Sequence, residues 1–442
     1  MILMNLIHNK EQYIVQKNHL ILALIFIFAL FTKSIHFDHP DGYIFDEIYC
    51  GFTAEQYAEN NMNAWVWDSN PPKGLAYNWV HPPLGGLIIS GPIRLLGKSA
   101  LSRRIIPLVS GILISMMVFQ LGVLLFPEKA SIALLAAAFF TLDGLGLVLS
   151  RISLIDTLLT LFIMLSTYFA FKKSYFWSAV FFGMAFSTKW TSLYLTAFFF
   201  LLSFSHCLWK KERVGKNMLF LLRVCSLYCS IAITIYLLSY LPMIVHFGFH
   251  KWWDLQKQML FFHLNLKATH DWQSSAWTWA FDYRPVWIFV KYEVGKTRNI
   301  YALGNPLIFW GGVLAFFYSI GCVLFYRLKP TDIKTVNTQQ SGNERMTLLY
   351  LLLIYSLSFF PLFFSPRIMF LYHYLPAIPF LCLILAFSLQ TLAQLTPKLR
   401  SLPLLFLLFT FMVFIFFYPY WTGIAVPNQY IYLFHWLKTW GP

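Results

Sequence analysis

The chain has 442 residues, of which 58% are hydrophobic, 19% aromatic and only 12% charged, and its mean hydropathy is +0.62. No soluble fold can hide that much apolar surface, so the composition excludes a water-soluble globular protein. The net charge of +15 does not mark a nucleic-acid binder, because the Lys and Arg residues punctuate apolar runs instead of forming one dense face.

At the N-terminus, Lys10 and Lys17 precede an apolar stretch from Leu20 to Phe31. The layout is that of a signal peptide, but Thr32 to His36 offers no small-residue cleavage site. A retained first span with a cytoplasmic N-terminus is therefore expected. A helix needs roughly 20 apolar residues to cross the hydrocarbon layer. By that measure spans are predicted at 19–33, 104–126, 130–148, 153–171, 175–190, 191–209, 218–246, 304–326, 347–365, 369–390 and 402–421, about eleven in all. This count puts Lys172, Lys173, Lys210–Arg213, the segment 327–346 and Lys398 with Arg400 on the cytoplasmic side, as the positive-inside bias requires. It turns on Lys189-Trp190, which interrupts the run 175–209; one continuous helix there would reverse everything downstream. The fold class expected is an all-α polytopic membrane protein, a single integral membrane domain over 1–442. The stretch 327–346 is polar without apolar periodicity and reads as a cytoplasmic loop. The six cysteines show no zinc-type spacing and read as small packing residues.

Two long segments, 34–103 and 247–303, then fall outside. The first carries Asp46-Glu47 at the membrane edge, followed by a polar, proline-bearing loop up to His81-Pro-Pro-Leu-Gly85 and an apolar stretch, 84–96, too short to span. Adjacent carboxylates there suggest a reaction centre above the bilayer. Both segments are rich in tryptophan, which suits an aromatic belt at headgroup level or stacking on sugar rings or a lipid carrier. Further polar groups sit where spans meet the outer face: His81, Arg103, Arg104, Asp143, Arg151, Asp156, Lys189, Arg367 and His373. Asp143, Arg151 and Asp156 read as a structural ion-pair set. Arg104 and Arg367 read as anion ligands, since a guanidinium fork matches a phosphate.

Seven motifs in order carry a resemblance over about residues 20–420. They are Phe45-Asp46-Glu47; HPPLG at 81–85; Leu142-Asp143-Gly144 with Ser150-Arg-Ile-Ser-Leu-Ile-Asp156; Ser187-Thr-Lys-Trp190; Trp277-Thr-Trp with Tyr283-Arg284-Pro285; Ala302-Leu-Gly-Asn-Pro306; and Arg367 with Tyr372-His-Tyr-Leu-Pro-Ala377. Together they resemble the protein O-mannosyltransferase family of membrane glycosyltransferases with the GT-C fold. The resemblance implies a polyprenyl-phosphate-linked mannose donor and Ser or Thr hydroxyls of exported proteins as acceptors, with the secretion machinery as an expected associate. The first-loop acid of the family falls on Asp46, as general base with Glu47 in support, since a hydroxyl needs a carboxylate to take its proton as the new bond forms. One displacement would invert the anomeric centre. Arg104 and Arg367, with His81 and His373, are then the candidates for the donor phosphate; Lys189, Trp190, Trp277 and Arg284 are candidates for other substrate contacts.

Two departures stand out. Gly86 occupies the position after HPPLG where the family usually has Lys, and the second outer segment lacks the soluble β-trefoil insertion of eukaryotic members, as expected for a bacterial-type protein. Asp46, Glu47 and nearby His could offer ligands to a divalent cation, but no compact metal motif is present, so neither resident metal nor cofactor is expected. A rival reading keeps the fold and moves another sugar, such as aminoarabinose, from undecaprenyl phosphate to lipid A or an envelope polymer. A transporter or lipid flippase is the distant alternative, disfavoured because the charges cluster at one face rather than at mid-bilayer.

Overall fold

The computed structural model describes residues 20–210, 214–325 and 338–441. Lys10, Lys17 and the segments 211–213 and 327–337 lie outside the described residues. The described helices are α1 (Leu20–Ser34), α2 (Cys50–Ala58), α3 (Leu84–Leu96), α4 (Ala100–Leu125), α5 (Ala130–Thr141), α6 (Gly144–Leu149), α7 (Asp156–Phe171), α8 (Tyr175–Phe186), α9 (Thr196–Lys210), α10 (Val214–Ser239), α11 (Leu241–Asn265), α12 (Pro306–Phe325), α13 (Thr338–Phe359), α14 (Ile378–Leu395) and α15 (Leu402–Thr422).

Among the described residues six stretches are long and apolar enough to cross a bilayer: 100–125, 215–239, 306–325, 344–364, 371–395 and 397–422. The protein is therefore a multi-pass membrane protein. Helices α1, α5, α7, α8 and α9 also fall on expected spans, but as described they are shorter than the ~20 residues of a full crossing. The run 130–148 is broken because the Asp143 carboxylate caps α6 through the Gly146 N–H at 2.7 Å. At the doubtful stretch 175–209 the chain reverses. Phe171, at the far end of α7 from Asp156, packs on Phe198 of α9 and on Tyr350, whose hydroxyl bonds Ser205. The expected loop 327–346 is helical from Thr338, where α13 begins.

Helix α14 is the axis of the bundle. Every residue from Ile378 to Leu389 is buried, as an all-round apolar helix requires, and Gly312 of α12 lets it come close, since a Cβ there would lie 2.7 Å from Leu381.

The two long outer segments fold onto each other, with Phe52, Tyr57, Trp65 and Tyr77 of the first and Trp252, Leu255 and Met259 of α11 sharing one core. The second segment departs from the all-α expectation. Val286–Glu293 (β1) and Lys296–Ala302 (β2) form an antiparallel hairpin, extended by Val426–Pro427 (β3). The two-residue turn between Glu293 and Lys296 needs a left-handed residue, supplied by Gly295 at φ +69°. Tyr301 of β2 stacks on Tyr420 of α15 at 4.5 Å, fixing the hairpin to the bundle.

Candidate functional site

Four separate pieces of chain converge at one end of the bundle: the 3-10 turn Phe45–Ile48, the N-terminus of α7, the turn between α8 and α9, and the segment 365–377 between α13 and α14. They enclose a cavity of about 410 Å³ lined by Asp46, His81, Asp156, Lys189, Arg367, Tyr372 and His373 among others.

Asp46 reaches the cavity through an unusual backbone. Phe45 adopts φ +49°, a left-handed conformation disfavoured for a bulky side chain; its ring packs edge-on against Phe370 and Tyr372. The Tyr372 hydroxyl donates to Asp46 Oδ2 at 2.9 Å. Burial pushes the Asp46 carboxyl up to about 6, with Tyr372 pulling it back and Asp156 raising it further, while Lys189 and Arg367 lower it. A carboxyl poised there is ionised at neutral pH and still basic enough to take a proton in a transition state.

Asp156 sits in the first turn of α7, where the helix dipole favours a carboxylate, and accepts from Lys189 Nζ at 2.8 Å. The ammonium also lies 5.7 Å from the Tyr372 ring centroid. Having spent one donor on Asp156, it retains two. Arg367 is different. Among the described residues it makes no hydrogen bond or ion pair, although it faces the cavity, which leaves its fork free for an anion.

Glu47 and Arg104 are not in the cavity. Both are fully buried; Arg104 Nε and its terminal nitrogen bind the two carboxylate oxygens of Glu47 at 2.7 Å each. Arg104 also donates to the carbonyls of Phe37 and Gly42, and the Ser153 N–H donates to Glu47 at 2.7 Å. The pair thus ties the Asp46 turn to α4 and to the loop before α7. Arg103 does the same with Glu55 at 2.9 Å. Asp143, Arg151 and Asp156 do not form one ion-pair set. Arg151 donates to the carbonyls of Lys33, Ile35 and His36, and Asp143 accepts from the Asn305 N–H at 3.1 Å, joining two motifs that the sequence set 160 residues apart.

His81 lines the cavity with its ring stacked on His263 at 5.6 Å. Burial, with Lys189 and Arg367 nearby, holds His81 well below its ordinary value, and His263 is lowered to about 4 for the same reasons. Both are neutral donors or acceptors, not cations. His373 stacks on Tyr372 at 4.3 Å. Trp190 stands behind the wall, 5.8 Å from His263, with its indole N–H on Tyr236. Trp277 and Arg284 line a second cavity of about 790 Å³. Gly86, where the family carries lysine, faces Tyr57: a Cβ there would lie 3.0 Å from that ring. Tyr372 and His263 were not singled out by sequence reasoning, although Tyr372 stands inside the motif that ends at Ala377. The grouping of metal-type ligands found among the described residues, His36, Asp38 and His39 with ligand atoms within 4.8 Å of one another, does not line the cavity.

The chain is similar to known proteins along most of its length. Residues 80–239 match the family described as dolichyl-phosphate-mannose-protein mannosyltransferase, and residues 248–440 match the C-terminal four-transmembrane region of protein O-mannosyltransferase. The polyprenol-phosphate-mannose–protein mannosyltransferase of Corynebacterium glutamicum is 23% identical over 65% of this chain and 69% of its own length. The Mycolicibacterium smegmatis enzyme of the same name is 24% identical over 60% of this chain and 62% of its own. In structure, the chain resembles the Saccharomyces cerevisiae Pmt1-Pmt2 complex bound to the sugar donor, with a TM-score of 0.80, 15% identity and coverage of 96% of this chain and 93% of that one. ArnT from Cupriavidus metallidurans in the apo state gives a TM-score of 0.52 at 13% identity, over 90% of this chain and 62% of that one. This chain belongs to the protein O-mannosyltransferase family of membrane glycosyltransferases and has its GT-C fold.

Proposed function

We propose that the protein transfers a mannosyl residue from a polyprenyl-phosphate-linked donor to a Ser or Thr hydroxyl of an exported protein, in the cavity between Asp46 and Arg367. The observation that carries the reading is the pairing, in one cavity, of the Asp46 carboxylate with a guanidinium, Arg367, that makes no hydrogen bond or ion pair among the described residues. The acceptor hydroxyl gives its proton to Asp46 as its oxygen bonds the anomeric carbon. The bond from that carbon to the phosphate oxygen breaks on the opposite face, and the polyprenyl phosphate leaves with the electron pair. The product is inverted. The leaving group is already an anion, so it needs positive charge more than a proton. Arg367 supplies the fork, Lys189 its two remaining donors, and the His81 and His373 rings line the same cavity as further contacts. Glu47 and Arg104 act at one remove, by fixing the turn that aims Asp46.

The cavity end faces the exterior, with the short basic connections in the cytoplasm, so acceptors meet it as they leave the secretion machinery. The deciding experiment incubates purified protein with a panel of polyprenyl-phosphate sugars and a Ser/Thr peptide. Mannose transfer with inversion is expected. Transfer of aminoarabinose, or of any sugar to lipid A but to no peptide, would refute the reading.

A further inference from the structure

The second cavity, about 790 Å³, is larger than the reaction cavity, and the two share Ala268, Arg367 and Ile368 as a common wall. Its chemistry is distinct. Gln273, Ser274, Ser275, Thr278 and Ser365 give it neutral donors and acceptors beside the apolar Leu362, Phe363, Ile368 and Met369, and among the described residues Arg284 and Arg367 are the charged groups that line it. At its mouth Trp277 is 60% and Tyr283 49% exposed, and among the described residues neither the indole N–H of Trp277 nor the Tyr283 hydroxyl makes a hydrogen bond. This wall is built in advance. Trp279, two residues beyond Trp277, is fully buried with its N–H on Ser274 at 2.9 Å; Trp310 and Trp440 donate to the carbonyls of Phe281 and Asp282. Arg284 spends its Nε on the Asp271 carbonyl at 2.8 Å and lies over the Trp272 ring at 4.8 Å, so its terminal nitrogens remain to face the groove.

A polyprenyl chain would meet the apolar side of this groove but would bury the hydroxyls and the amide without giving them partners. An extended peptide suits these walls, since its N–H and C=O groups alternate along the strand and meet neutral side chains, while flat aromatic surfaces hold its small residues. We infer that this groove binds the acceptor: an extended Ser/Thr segment whose hydroxyl enters past Arg367, with an acidic side chain near the acceptor residue held by Arg284. The inference rests on the transferase reading above and names the recognition that reading leaves open.

The test uses purified full-length protein, polyprenyl-phosphate mannose, and paired peptides that differ only in carrying Asp or Lys beside a single Thr. Wild type should prefer the Asp peptide. Trp277→Ala should raise the peptide KM roughly tenfold, the scale of losing one aromatic anchor, with the donor KM unchanged. Arg284→Glu should reverse the peptide preference. If Trp277→Ala raises the donor KM instead, the groove holds lipid and the inference fails. If wild type transfers mannose while both variants leave every peptide constant unchanged, the groove alone is refuted. If wild type transfers mannose to no peptide, the parent reading falls and this one with it.

Discussion

Replacing Tyr372 with Phe isolates one hydrogen bond at the centre of the proposed mechanism. Burial sets the Asp46 carboxyl at about 6, and the Tyr372 hydroxyl is the largest influence holding it down. A hydrogen bond to a charged group contributes roughly 1.5–3 kcal/mol, and 1.36 kcal/mol corresponds to one pKa unit. Complete loss would therefore raise Asp46 by about 1–2 units. Water entering the space left by the hydroxyl returns part of this, so about one unit is expected. Asp46 must be ionised to accept a proton, so kcat/KM should climb with pH through about 6 in wild type and level off above it. In Tyr372→Phe the same limb should move upward, to about 7, while the alkaline plateau is largely retained. The sign distinguishes this from a change in Asp156, whose charge raises Asp46: Asp156→Asn should move the limb down. The assay is mannose transfer to a Thr peptide across the pH range, with donor and peptide varied separately. A wild-type profile with no acid limb near 6, or a Tyr372→Phe limb that moves to lower pH, would refute the reasoning.

Asp46→Asn keeps the shape and removes the base, and should lower kcat by roughly 10²–10⁴-fold with donor binding near normal; near-normal transfer by correctly inserted protein would remove Asp46 from the chemistry. Arg367→Ala should weaken donor binding, measured by donor KM or direct titration, and Lys should rescue only partly because it loses the fork. Arg104→Ala should act on the fold instead, since breaking a fully buried pair costs about 3–5 kcal/mol; a lowered Tm or loss of inserted protein is expected, and a stable variant with selectively weak donor binding would return Arg104 to the phosphate. For orientation, cysteines placed at Lys73 and at Val294 should label from outside while one at Ser401 should not, and the opposite pattern would invert the topology.

The sequence revealed where the acids and bases would gather but not which would meet. Asp46 and Glu47 are neighbours, yet the left-handed Phe45 and the tight turn send one carboxylate to Tyr372 and the other to Arg104; adjacency carries no information about side-chain direction in a 3-10 turn. The seven motifs likewise divide by task. Leu142-Asp143-Gly144 and Ala302 to Pro306 lock onto each other, because a Cβ on Gly144 would collide with Trp421 and the Leu303 carbonyl. Asp46, His81 of HPPLG and residues of the segment from Arg367 to His373 line the cavity. The hairpin was legible in principle, since Val286 to Glu293 is a run of β-branched and aromatic residues that ends in a glycine-bearing turn, but its apolar residues read equally well as membrane-interface aromatics.

Electrostatics explains why the proposed phosphate contact could not be chosen from the sequence. Arg103, Arg104, Arg151, Lys189 and Arg367 are five of the cations at this end of the bundle, and the sequence ranks Arg104 and Arg367 alike. Folding then assigns a partner to four of them: Arg103 to Glu55, Arg104 to Glu47, Lys189 to Asp156, and Arg151 to three backbone carbonyls. Each assignment is a long-range event between residues 33 to 118 positions apart, beyond any local pattern. Among the described residues Arg367 makes no hydrogen bond or ion pair, Asp46 and Asp156 act on it only through space, and it has cavity on both sides. In a low-dielectric setting an uncompensated guanidinium is costly unless an anion arrives to meet it. On the proposed reading Arg367 is where the anionic donor binds, so saturating polyprenyl phosphate should raise the Tm of wild type and raise it less in Arg367→Ala; an equal rise in both would remove Arg367 from the phosphate.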